Sequence, residues 1–461
     1  MATFLSRRVV LLGRFCNQLK FQARSLTTFS DHRCRFIFPV GVRNCGSGGE
    51  ALRAVLKPAV PLVTKWRCLG QAAHSSISEN CSLEHAEKQV GRREVRVRWG
   101  DGFESAYPFV WLRDNCFCPS CYEATAQARM FLVEDLDVEI VPTDVKVALD
   151  GRSLTVCWPG GHQSNFSSEF LRATEFSERR PTKHTHLWGS ELLQNLPRFQ
   201  FQNLLEDDRV LLQYMETLWN VGLVLVQNVP QQTGQIQKLA EKISFLRVTT
   251  YGPTFTVKAK VKPSNAAYTG SKLGLHTDMP QYYFTPSIQI LHCIEQSSTG
   301  GDSTFSDGFK AAFQLKQENP EAYELLSANY IDYVDVGTDF LKYHTESPHA
   351  VITLDHSGEL SQIHYNNPIR GTQLRMPTDR VYPYYRAMKA FDDILNRPEN
   401  IITLKMDGGD MAAFDNVRVL HGRTAFTFGE RHLEGGYMDW DDVLSKVRVL
   451  RRRFGLPVND F

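Results

Sequence analysis

His276 and Asp278 stand two positions apart in the stretch KLGLHTDMPQYY, residues 272–283. An isolated His-x-Asp reads more readily as a turn. It gains meaning if a third ligand lies elsewhere. A mononuclear non-haem iron(II) site takes two imidazoles and one carboxylate on one face, leaving open positions for a cosubstrate and oxygen. The distant imidazole is offered by His421 in FDNVRVLHGRTAF, at the end of an alternating apolar stretch. Shortly after it, Arg431 in GERHLEGGY can fork onto a cosubstrate carboxylate with two parallel N–H bonds. Hydroxyls in STGGDSTF, Ser303 above all, suit the same anion. His292, His364 and His432 have no partner legible in the sequence and are read as core or surface.

A second ligand set lies upstream. WLRDNCFCPSCYE carries Cys116, Cys118 and Cys121. Three thiolates this close can surround one tetrahedral cation, with a fourth ligand from elsewhere. His162, in the turn of CWPGGHQSNF, is the candidate; Cys157 falls inside an apparent strand and reads as core. Four protein ligands leave no open position, so a zinc ion here holds structure rather than doing chemistry.

The elements that must position these groups follow from pattern. VRVRW alternates as a half-buried strand does, and GDG after it is a turn; SLTVCWPGGH is another strand ending in a turn. Residues 82–180 read as a small β-rich unit with the zinc site, and 181–461 as the catalytic unit. LEDDRVLLQYMETLWNVGLVLVQNVP is a helix running into a buried strand. QIQKLAEKIS and AAFQLKQENPEAYELLSA are helical by propensity and spacing. After Tyr268, short strands with polar turns dominate: SIQILHCIE, AVITLDHS, SQIHYNN, NIITLKMD, DMAAFDN and VRVLHGR. An antiparallel sandwich or barrel results, which a jelly roll satisfies. No internal repeat is visible.

Composition excludes some partners. A formal net charge of +1 suggests neither nucleic acid nor an anionic membrane, and no apolar run approaches the ~20 residues that span a bilayer. The near-neutral total hides a basic start. MATFLSRRVVLLGRFCNQLKFQARSLTTFS holds five basic residues from Arg7 to Arg24 and no acid. An acid-poor, amphipathic, arginine-bearing leader is how a mitochondrial transit peptide reads. Residues 1–81 are therefore set apart from the fold, with the mitochondrial matrix as the expected location.

With these motifs in place, the chain resembles a known family. HTD, TGGDS, DNVRVLHGR, RHLEGGYMDWDDVLSKVRVLRRR and the upstream VWLRDNCFCPSCY look like the 2-oxoglutarate-dependent gamma-butyrobetaine dioxygenases, relatives of the trimethyllysine dioxygenases. The resemblance runs from about residue 82 to about 453. It implies a mixed, β-dominated protein: a zinc-binding β-rich N-terminal domain, then a double-stranded β-helix with flanking helices. It further implies iron(II) on His276, Asp278 and His421, 2-oxoglutarate on Arg431, O2 as cosubstrate, ascorbate as reductant, and room for a homodimer. The butyrobetaine enzymes are typically cytosolic, which gives cytoplasm as the alternative location.

The substrate implied is a small trimethylammonium compound. Such a group has no N–H to donate, so aromatic faces suit it through cation–π attraction. By resemblance the cage falls on Tyr251, Tyr268 and Tyr437, with Phe255 where the family typically has Trp. Asn265 and Asn366 match positions used for the substrate's carboxylate end. The implied reaction is hydroxylation of gamma-butyrobetaine to L-carnitine, releasing succinate and CO2. Two rivals stand beside it: trimethyllysine hydroxylation, which needs a similar cage, and a non-catalytic binder of quaternary ammonium groups.

Overall fold

The strand Leu223–Gln227, LVLVQ, is apolar on both faces, and the packing explains why. Leu223 and Leu225 point into one core while Val224 and Val226 point into another. Met411–Asp415 repeats the pattern: Met411 and Ala413 face one way, Ala412 and Phe414 the other. A strand covered on both sides reads as a continuous apolar run instead of an alternating one. These strands belong to the jelly roll that the pattern of short strands suggests. The computed structural model describes residues 82–176, 185–258, 269–426 and 431–458. The leader, Asn265 and Tyr268 lie outside them.

Two sheets form the jelly roll. The larger has six strands in the order Thr254–Lys258, His432–Met438, Ile288–Glu295, Met411–Asp415, Leu223–Gln227 and Arg198–Gln200. Its last pair is parallel and the others antiparallel. The smaller has four antiparallel strands: Leu273–His276, Val419–Arg423, Ser303–Asp307 and Ile401–Leu404. Between the sheets lie Leu223, Leu225, Cys293, Phe305, Phe414 and Val419.

Helices close the outer faces. Against the larger sheet, Asp208–Val221 buries Leu211, Leu212, Tyr214, Met215 and Leu218, one face at helical spacing. Asp207 caps it by accepting from the Arg209 N–H at 2.7 Å, and Gly222 ends it in the left-handed conformation that favours glycine. Trp440–Arg453 packs beside it. The smaller sheet is covered by Gly308–Glu318, Pro320–Ala328 and Thr378–Leu395. The helices Thr378–Leu395 and Trp440–Arg453 are absent from the sequence reading, which saw strands dominating after Tyr268. The first carries Pro383 inside it, which obscures the helical pattern, but its interior residues Tyr384, Ala387, Met388, Phe391, Ile394 and Leu395 keep helical spacing.

One ion pair ties these layers. Arg418 and Asp307, both fully buried, meet at 2.8 Å. Arg418 also donates to the carbonyls of Asn220 and His186, and Asp307 caps the helix Gly308–Glu318 through the Phe309 N–H. Arg418 precedes the strand that carries His421, so the pair anchors that strand.

Residues 83–171 have a core of their own, including Val95, Val97, Trp99, Leu154, Val156 and Trp158. An internal repeat, invisible as sequence, appears here as structure. Strands Glu94–Trp99 and Glu104–Pro108 form a hairpin followed by the helix Phe109–Asp114. Strands Ser153–Cys157 and Gln163–Ser167 form another, followed by Ser168–Ala173. In each, a buried tryptophan donates its indole N–H across the turn to a serine six residues on: Trp99 to Ser105 at 2.9 Å, Trp158 to Ser164 at 2.8 Å. The sequence hides the repeat because packing conserves only the inward positions.

Candidate active site and metal centres

His276 ends the strand Leu273–His276, and register places it directly opposite His421 on Val419–Arg423. The two rings lie 4.2 Å apart between centroids. Asp278 follows in a loop, its Oδ1 3.2 Å from His276 Nε2. One nitrogen or oxygen atom from each of the three lies within 4.8 Å of the others.

The surroundings prepare each group to ligate. His276 Nδ1–H donates to the Gly274 carbonyl at 2.9 Å, which turns Nε2 toward Asp278 and His421. Asp278 Oδ2 accepts from Gln289 Nε2 and from the Tyr437 hydroxyl, each at 2.8 Å. Both donors sit on one oxygen, so the other faces the imidazoles. Asn416 holds the loop backbone, accepting from the Asp278 N–H at 2.8 Å and donating to its carbonyl at 2.9 Å.

Charge states agree. Burial works to raise the Asp278 carboxyl, but the His276 hydrogen bond, the two imidazoles' fields and the Tyr437 hydroxyl overcome it and hold the group well below the usual carboxylate range. Burial pushes His421 down to about 3, so it is a neutral imidazole with a lone pair to offer. For His276 burial also lowers, but Asp278 outweighs it and raises the group. A divalent cation seated among the three would take over the role of that proton. His421 Nδ1 is buried with no hydrogen-bond partner among the described residues. Two imidazoles and one carboxylate, converging and shielded, fit iron(II) by donor type and number.

These groups line a single pocket together with Tyr251, Phe255, Ser303, Asn366, Arg431 and Tyr437, so every iron, cosubstrate and substrate candidate among the described residues reaches it. The Phe255 ring stacks on Tyr437 at 5.3 Å and lies 6.0 Å from Tyr251. Phe255 pairs with Gly435, and a Cβ built there would meet its ring at 2.2 Å, so glycine makes room for this wall. Arg431 is buried, and burial, with the Arg423 charge beside it, lowers it to about 10, leaving it a cation at neutral pH. Its Nε has no partner among the described residues, which suits an incoming carboxylate. Asn366 donates to the Thr277 carbonyl at 3.0 Å while its amide oxygen is left unpartnered.

Several pocket residues escaped the sequence reading. Gln289, Gln281, Asp335 and Arg423 line it from strands and loops far apart in the chain. Only the register of Gln289 opposite Tyr437 reveals that both reach Asp278. His292, His364 and His432, which the sequence assigns to core or surface, stay outside the pocket lining. His292 and His364 are fully buried, lowered to about 4 and about 3 mainly by burial, and His432 is half-buried.

The upstream cluster also converges. His162 Nε2 lies 3.3 Å from Cys116 Sγ, 3.8 Å from Cys118 Sγ and 3.7 Å from Cys121 Sγ. Zinc bonds of about 2.3 Å to sulfur and 2.0 Å to nitrogen at tetrahedral angles put S and N about 3.5 Å apart. The four groups therefore fit a closed zinc site. Burial raises the Cys116 thiol to about 11; burial also acts to raise Cys118, but Ser120 and the neighbouring thiols bring it down to about 7. Cys157 is half-buried in its strand and is not part of the cluster.

Comparison with known proteins supplies the wider context. Residues 178–437 match the family model of the taurine catabolism dioxygenase TauD, TfdA family. Residues 86–172 match the gamma-butyrobetaine hydroxylase-like N-terminal model. A human gamma-butyrobetaine dioxygenase is 40% identical over 81% of this chain and 98% of its own length. One from a Pseudomonas strain is 37% identical over 78% of this chain and 94% of its own. A human mitochondrial trimethyllysine dioxygenase is 34% identical over 86% of this chain and 94% of its own.

Proposed function

Since this chain belongs to the TauD, TfdA dioxygenase family, with a gamma-butyrobetaine hydroxylase-like N-terminal region, we propose that it hydroxylates gamma-butyrobetaine to L-carnitine. The observation that carries this reading is one pocket holding the His276–Asp278–His421 set, the Arg431 cation and the aromatic wall of Tyr251, Phe255 and Tyr437. Trimethyllysine hydroxylation is the second reading, favoured by the 34% identity to its mitochondrial enzyme. Its identity is lower, 34% against 40% for the butyrobetaine enzyme, and it is kept second on that ground.

Bound iron(II) supplies the oxidising chemistry: O2 and 2-oxoglutarate are consumed, succinate and CO2 leave, and one oxygen atom enters a substrate C–H bond. The protein's own residues position the reactants. His276 and His421 present neutral nitrogens and Asp278 a carboxylate oxygen, the other oxygen being held by Gln289 and Tyr437. Arg431, supported by Ser303, grips the far carboxylate of 2-oxoglutarate and sets its angle to the ligand set. Tyr251, Phe255 and Tyr437 receive the trimethylammonium group on their faces, and Tyr268 is the further cage residue that the family resemblance implies. Asn366 and Asn265 are the amides that the family resemblance implies for the carboxylate end. With both ends of the substrate fixed, the carbon beta to the carboxylate is the one turned toward the reacting centre, which is how positioning becomes selectivity. The Cys116, Cys118, Cys121 and His162 zinc stabilises the N-terminal unit, residues 82–180, and leaves the chemistry to 181–461. On its basic, acid-poor composition, the leader 1–81 is proposed to direct the chain to the mitochondrial matrix; ascorbate as reductant and a homodimer are what the family resemblance implies.

The test is turnover. Purified protein with iron(II) and 2-oxoglutarate should form succinate and a hydroxylated product from gamma-butyrobetaine faster than from trimethyllysine. His276→Ala, Asp278→Ala and His421→Ala should each abolish it while remaining folded, because no ligand of the set is spare. Faster turnover of trimethyllysine moves the assignment to the second reading. Near-normal product from any of the three variants removes the iron assignment.

A further inference from the structure

We propose that Asp335 is a specificity-determining residue of this pocket, supplying the negative charge that selects a cationic substrate over a neutral one of the same shape; this rests on the trimethylammonium reading above. Asp335 lies on the strand Tyr330–Thr338, paired with Lys342–Ala350 in a hairpin outside the two sheets of the jelly roll. That hairpin brings its carboxylate to the pocket wall. Asp335 Oδ2 accepts from the Tyr251 hydroxyl at 2.8 Å and, more weakly, from Gln281 Nε2 at 3.4 Å. Burial and the Asp335 charge together raise the Tyr251 hydroxyl, so it stays a donor.

Both donors are neutral. Among the described residues, no lysine, arginine or histidine forms an ion pair with Asp335, while other acids of the domain, such as Asp307, Asp332 and Asp439, do have such partners. The pocket's own cations, Arg423 and Arg431, pack with Phe426, Gly301 and the Thr269 and Ser271 carbonyls, on the side of the 2-oxoglutarate grip. The lining is therefore bipolar. One side carries two guanidinium groups, and the other carries an aromatic wall with a carboxylate at its edge.

That arrangement matches a quaternary ammonium. The cation rests on ring faces, where attraction comes from the π system, and Asp335 adds a longer-range Coulomb attraction in a partly desolvated site. Because a quaternary ammonium donates no hydrogen bond, the carboxylate need not touch it. Its Oδ2 accepts from Tyr251 and Gln281, fixing the Tyr251 ring, and the group acts on the cation through its field.

The experiment compares gamma-butyrobetaine with 5,5-dimethylhexanoate, its isostere in which an uncharged carbon replaces the quaternary nitrogen while the carboxylate is kept. Dissociation constants are measured by calorimetry on the iron- and 2-oxoglutarate-loaded protein without oxygen. Asp335→Asn keeps an amide oxygen to accept from Tyr251 and removes the charge. It should weaken gamma-butyrobetaine binding about tenfold and change isostere binding by less than about twofold. Tyr251→Phe cuts the tie but keeps ring and carboxylate, so it should retain most of the preference for the cation. Equal weakening of both ligands by Asp335→Asn, no weakening of either, or loss of the preference in Tyr251→Phe as large as in Asp335→Asn, overturns the proposal. If the native protein binds neither gamma-butyrobetaine nor trimethyllysine, the trimethylammonium reading fails instead.

Discussion

Tyr437→Phe separates two roles that meet in one side chain. The ring face belongs to the aromatic wall, 5.3 Å from Phe255, while the hydroxyl donates at 2.8 Å to Asp278 Oδ2. The substitution removes the hydroxyl and keeps the face. A hydrogen bond to a charged acceptor is worth about 1.5–3 kcal/mol. Gln289 still donates to the same oxygen, so the loss belongs at the lower end. About 1.4 kcal/mol is a factor of ten in an equilibrium constant. Iron(II) affinity should thus fall about tenfold, within the 10–100-fold range known for partners that orient metal ligands. Anaerobic equilibrium dialysis with elemental analysis measures this directly, and gamma-butyrobetaine binding at saturating iron should change by less than about twofold. Gln289→Leu should behave likewise. The double variant should lose more than the sum of the two, because nothing then fixes the Asp278 rotamer. Unchanged iron affinity in Tyr437→Phe, or weakened substrate with unchanged iron, would refute the reasoning.

Other outcomes follow from the same structure. Cys116→Ser should lose zinc by elemental analysis and lower the melting temperature, since a closed tetrahedral site contributes to folding; finding no zinc in the native protein would refute that site. Arg418→Met strands the buried Asp307 charge and should cost about 3–5 kcal/mol in urea unfolding; a loss under about 1 kcal/mol would show that the pair is not the anchor described. Phe255→Ala should raise the KM for gamma-butyrobetaine and leave that for 2-oxoglutarate nearly unchanged, and equal damage to both would make Phe255 packing instead of cage. Residues 1–80 fused to a fluorescent protein should carry it into mitochondria, as an acid-poor amphipathic leader does; diffuse fluorescence would show otherwise.

What could be read in the chain was local or chemically rare. Cys116, Cys118 and Cys121 fall within six positions, and their types alone call for a cation. His276 and Asp278 share one strand end. The helix Asp208–Val221 announces itself through its spacing and the glycine after it. Thr378–Leu395 was missed because Pro383 interrupts its first half, and the hairpin of Tyr330–Thr338 because YIDYVDVGT mixes acids and aromatics without clean alternation.

His421 was nameable as a distant partner, but its place opposite His276 is a property of sheet register. Likewise Gln289 beside Tyr437, and Asp335 against Tyr251, are contacts between strands or loops separated by long stretches of chain. Residue type and spacing determined by themselves which ligand chemistries this protein has available, since those depend on donor atoms and local reach. Only the tertiary structure decided which oxygen of Asp278 faces the imidazoles and which carboxylate edges the aromatic wall. Those follow from register and packing, where a shift of one residue turns every side chain to the opposite face.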